Sequence, residues 1–124
     1  MKTLFDMTKY LFDSGANETT HTGRTLYDHL MGTYLILKSW EDCPEHVAVA
    51  GMFHSIYGTV YFKTQTTDNR EEIKDLIGEE AETLVRAFCD AQHPRREDLL
   101  RIAKEREISC DELYWIDCAN EIDS

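Results

Sequence analysis

The chain has 124 residues, enough for one hydrophobic core and a single domain. A hydrophobic share of 42% excludes a disordered chain, and no apolar run approaches the ~20 residues of a membrane span. With 24 acidic against 13 basic residues, the formal charge of −11 repels a phosphate backbone, so neither a nucleic-acid polymer nor a membrane is the expected partner.

The apolar spacing is helical almost throughout. Residues 2–14 place Leu4, Met7, Leu11 and Phe12 on one face of an amphipathic helix, and Asp6, Lys9 and Asp13 make the segment a poor secretion signal. Residues 15–23, "GANETTHTG", are polar and Gly-bounded, and predict a loop. A second helix covers 24–40, with Leu26, Leu30, Tyr34 and Leu37 inward and Tyr27, Met31 and Leu35 beside them. Pro44 suits a first helical turn, and 44–57 is apolar on nearly every side, which predicts the central helix of the core.

Gly58 stops that helix, and 59–69 reads as a loop or short extended piece over the core. Asp68 or Asn69 can cap a helix with Glu71 and Glu72 in its first turn, ending at Gly78. Helices over 79–92 and 95–106 follow, and a last one is capped by Ser109, with Leu113, Ile116 and Ala119 inward. The expected architecture is a single all-α bundle of about six or seven helices. Cys43, Cys89, Cys110 and Cys118 form no CxxC pair, so a four-cysteine zinc site is not expected, and reduced thiols fit a cytosolic protein.

Of the five histidines, His46 falls in the first turn of the central helix and His93 in a Pro-bounded turn, where solvation is ordinary. His29 lies between Leu26 and Leu30, and His54 ends the most apolar helix. A lone imidazole on an apolar face is ordinarily a hydrogen-bonded core residue. Two of them on successive antiparallel helices joined by a short turn can meet, because the start of one helix lies beside the end of the next. In "YWIDCAN", Asp117 follows Trp115 and Ile116, where a carboxylate needs a partner for its charge, and Asn120 shares its face. Two imidazoles and a carboxylate are the usual ingredients of a divalent-metal site, and a surface Asp117 with backbone-bonded histidines is the alternative.

"LYDHL", "VAVAGMFHSIYG" and "IDCAN" together resemble the HD superfamily of helical metal-dependent phosphohydrolases, most of all the RelA/SpoT-type alarmone hydrolase domain. The resemblance runs over roughly residues 20–122 and implies an HD-like bundle. It implies that His29, His54 and Asp117 hold a divalent metal (Mn, Zn or Fe), with Asn120 beside them as a catalytic candidate and His21 as a candidate fourth ligand. "HTGRTLYDHL" is similar to the family's approach to its first histidine, which makes Arg24 a candidate for holding a phosphate or stacking on a base. Two positions depart from the family: Ser55 stands where the metal-binding Asp belongs, and Gly58-Thr59 replaces an acidic pair. Ser55 could bond a metal-bound water or a substrate oxygen, or its own backbone. Tyr57 could offer its phenol to the pocket, and Lys63 and Arg70 could bring charge to a phosphate or be solvated.

Three functions are compatible with these residues. The first is a metal-dependent hydrolase of a small phosphorylated molecule such as a nucleotide. The second is a non-haem iron oxygenase of the HD fold. The third is an HD-like module that binds a nucleotide or a protein without turnover. The first is favoured, because a dead site has no need for a carboxylate among two imidazoles. A homodimer is compatible with the sequence.

Overall fold

The computed structural model describes residues 1–21 and 23–124; the predicted loop 15–23 includes Thr22, which lies outside them. Seven helices, α1 (Leu4–Asp13), α2 (Leu26–Ser39), α3 (Glu45–Met52), α4 (Arg70–Ile77), α5 (Glu79–Asp90), α6 (Arg95–Arg106) and α7 (Cys110–Asp123), account for nearly all the regular structure among the described residues. A minimal antiparallel ladder, β1 (Thr20–His21) with β2 (Arg24–Thr25), leads into α2. The all-α expectation is therefore met, and no helix among the described residues is long and apolar enough to cross a membrane.

Caps set most helix starts. Thr3 and Asp6 form a reciprocal capping box on α1, and the Thr25, Asn69 and Ser109 side chains accept from the third backbone N–H of α2, α4 and α7. Each satisfies a donor that the helix itself leaves unpaired. Helix α3 is the inner element, with Val47, Ala48, Val49, Ala50 and Met52 all buried; it packs on α2, α5 and α7. Gly51 permits the close α2–α3 approach, since a Cβ there would lie 2.3 Å from Leu37 Cδ1.

Two expectations are corrected. The central helix ends at Met52 and not at 57; residues 53–57 form tight turns closed by Gly58 at φ +83°, where a Cβ would press on the Lys63 carbonyl. An apolar run reports burial without reporting which backbone is buried. On α1, Met7 and Leu11 face the core, whereas Leu4 and Phe12 are exposed.

Candidate functional site

Because the α2–α3 connection is short, the first turn of α2 lies beside the end of α3. His29 and His54 are both buried, with ring centroids 5.1 Å apart and edge to face. His21, from β1, stacks flat on His29 at 4.1 Å. The three imidazoles predicted as ligands are thus contiguous. Asp117 is buried on α7, as its apolar neighbours imply.

Their partners differ from the predicted set. His29 Nδ1 is 2.7 Å from Asp123 Oδ2, and its Nε2 is 2.7 Å from Asn120 Oδ1. Both ring nitrogens are therefore committed, whichever way the Asn120 amide is turned. Asp117 faces arginines: Arg96 donates to Oδ2 from Nη2 at 3.0 Å and Nε at 3.3 Å, and Arg95 Nη1 lies 3.6 Å from Oδ1. The described residues include no group of three or more His, Cys, Asp or Glu side chains placed to hold a metal ion. As arranged, His29 has no ring nitrogen left for a cation, whereas His54 Nε2 and Asp117 Oδ1 accept no hydrogen bond from the described residues. A metal would fit only if Asn120 left His29 and the arginines left Asp117.

Nδ1 of His54 donates to the Gly51 carbonyl at 2.7 Å, which leaves Nε2 as an acceptor without a partner among the described residues. Burial pushes the His54 imidazolium down from 6.5 to about 3, opposed by that carbonyl and reinforced by neighbouring His29, Arg95 and His21. A depressed base binds its proton first in the unfolded chain, so acid destabilises the fold between those two values. We expect acidification from pH 7 to 5 to cost about 2 kcal/mol from this group alone. Urea unfolding at the two pH values measures it. His54→Gln, whose amide can still reach Gly51, should show a correspondingly smaller loss.

One cavity of about 400 Å³ opens beside these groups, walled by His21, His54, Ser55, Thr59, Arg95, Arg96, Asp117 and Asn120, with Tyr61 and Phe62 on the 59–69 segment. Arg95 is 9% exposed; its guanidinium lies 4.5 Å from the Phe88 ring centroid and 4.7 Å from that of Tyr61, and Nη2 reaches Thr59 Oγ1 at 3.4 Å. Two buried side-chain atoms here have no hydrogen-bond partner: Ser55 Oγ and Arg95 Nε. Such groups are rare, because an unmet buried donor costs roughly 1–3 kcal/mol.

Two other candidates lie elsewhere. Arg24 donates to the Asp123 carboxylate at 3.0 Å and to the Asp123 and Asp28 carbonyls. The Tyr57 phenol donates to Glu82 at 2.7 Å on the far side of the turn, and Arg70 pairs with the same carboxylate. Sequence reasoning missed Arg95, Arg96 and Asp123. The signal for Asp123 was Gly32, a glycine inside α2: a Cβ there would lie 2.0 Å from Asp123 Oδ1, so its absence admits the carboxylate to His29.

No curated protein and no solved structure matches the chain. Residues 10–93, which include His21, His29, His54, Ser55 and Thr59, match the family described as Domain of unknown function (DUF6817), whereas Arg95, Arg96, Asp117 and Asn120 follow the matched segment. The match spans more than half of the chain, which therefore belongs to the DUF6817 family.

Proposed function

We propose that the protein binds a small phosphorylated molecule in the cavity walled by Ser55, Thr59, Arg95 and Arg96. The observation that carries this reading is the pair of buried, partnerless atoms, Ser55 Oγ and Arg95 Nε, on two residues that line the cavity. A hydroxyl and a guanidinium N–H are both donors, and a phosphate oxygen is an acceptor that would satisfy them once the side chains turn toward the cavity. Arg96, half exposed at the mouth, adds a second guanidinium. Asp117 orients both guanidiniums and moderates their charge.

Metal-dependent hydrolysis on an HD-like fold is the second reading. It is favoured by the three contiguous imidazoles and by the unpartnered Nε2 of His54. With His29 and Asp117 committed elsewhere, binding takes precedence over turnover as the function proposed here.

The test is titration of the protein with inorganic phosphate, pyrophosphate and a nucleotide panel, followed by backbone NMR shifts. Saturable shifts at Ser55 and Thr59 are expected, with affinity about tenfold lower in Ser55→Ala and in Arg96→Gln. Phosphate release that needs added manganese, zinc or iron and is lost in His54→Gln would establish the hydrolase. Binding without release would establish the binding module. No perturbation at these residues by any phosphorylated compound would refute the proposal.

A further inference from the structure

We infer that a second cavity, between α4, α5 and the C-terminal end of α6, is a separate site for a small phosphate-bearing anion. Arg70, Thr83, Arg86, Asp90 and Arg106 line its volume of about 320 Å³. Three helices contribute one guanidinium each, so the cluster is a product of the fold and not of a local basic run. In a chain of charge −11 with seven arginines, three of them converge here and two line the first cavity.

The local charge balance favours an anion. Glu82, fully buried, takes both the Nε and Nη2 donors of Arg70 at 3.0 Å. Asp90 is shared by Arg86 Nε at 3.2 Å and Arg106 Nη2 at 2.8 Å. Two carboxylates thus face three guanidiniums, and one of the two is sealed beneath the surface. The terminal nitrogens of Arg86 have no hydrogen-bond partner among the described residues, and Thr83 adds a hydroxyl. A tetrahedral oxyanion accepts several such N–H bonds at once, and guanidinium forks match it better than ammonium groups do.

Both flanking arginines are also linked to Tyr57, one directly and one through Glu82, and Tyr57 follows His54 and Ser55 in the same turn. Arg86 lies over the Tyr57 ring at 5.8 Å, and Arg70 reaches the phenol through Glu82. An anion held here therefore bears on the back of the segment whose front lines the first cavity. The inference does not depend on what the first cavity binds.

The experiment is a titration with inorganic pyrophosphate at constant ionic strength, read on the Nε–Hε NMR signals of the arginines. The expected result is a saturable shift at Arg86 and Arg106, weakened about tenfold in Arg86→Gln and unchanged in Arg96→Gln. Arg106→Gln, on another helix and half exposed, gives the same loss by a route that spares the Tyr57 contact. Thermal melts check that both variants are folded. No saturable shift by roughly 10 mM, the same shift with chloride, or a shift abolished by Arg96→Gln would each overturn the inference.

Discussion

Asp117→Ala is expected to lower the unfolding free energy by about 3–5 kcal/mol, measured as the urea midpoint at constant slope. The cost comes from Arg95. That guanidinium is 9% exposed and packed between the Phe88 and Tyr61 rings, so water in the cavity replaces its lost counter-ion only in part. Arg96 contributes little, because its side chain is half exposed and can turn to solvent. The pairing predicts a specific rescue: Arg95→Met keeps the apolar stem over the rings, and the double variant should recover more than half of the loss. An ordinary cavity effect at Asp117 would leave the two substitutions additive. A loss below about 1 kcal/mol in Asp117→Ala would mean that the carboxylate does not hold Arg95. Even where the variant folds, it should lose the anion, since both guanidiniums lose their orientation.

The residues that were legible in the sequence are those whose neighbours within one helix reveal burial. His29 between Leu26 and Leu30, and Asp117 after Ile116, sit at apolar spacing, and the short turn after α2 brings His29 to His54. Caps and glycines placed most helix limits to within a few residues. What the sequence did not disclose depends on contacts remote in the chain. "HPRRED" has the composition of a solvated helix start, yet Arg95 is buried because Phe88 and Tyr61, from two other segments, close over it. Glu82 likewise stands in an acidic first turn, and its 0% exposure follows from the Tyr57 turn folding against α5. The partner of Asp117 was the decisive unknown: periodicity shows that a carboxylate is inside, and only the packing shows whether a metal, an imidazole or an arginine answers it.

Glu82→Ala should be the second most damaging substitution, at about 2–4 kcal/mol. It removes the acceptor of the buried Tyr57 phenol. Glu82→Gln keeps one acceptor oxygen and should cost less; Tyr57→Phe, which leaves the Arg70 fork on the carboxylate, should cost least. Acid separates these cases. Burial alone would raise the Glu82 carboxyl, but the hydrogen bonds from Arg70 and Tyr57 outweigh it and hold the group below its ordinary range. A depressed carboxylate stabilises the fold fully above the unfolded value of about 4.3, and that contribution is lost as the pH falls through the folded value. The wild type should therefore lose stability in that acidic window by a margin absent from Glu82→Gln. Identical acid profiles would place the ionic part of the contact at zero. Because Tyr57 anchors the turn that carries Ser55 and leads into Thr59, Tyr61 and Phe62, Glu82→Ala should also weaken anion binding in the first cavity without touching its lining. Unchanged affinity in a folded Glu82→Ala protein would show that the pocket wall holds its shape without the anchor.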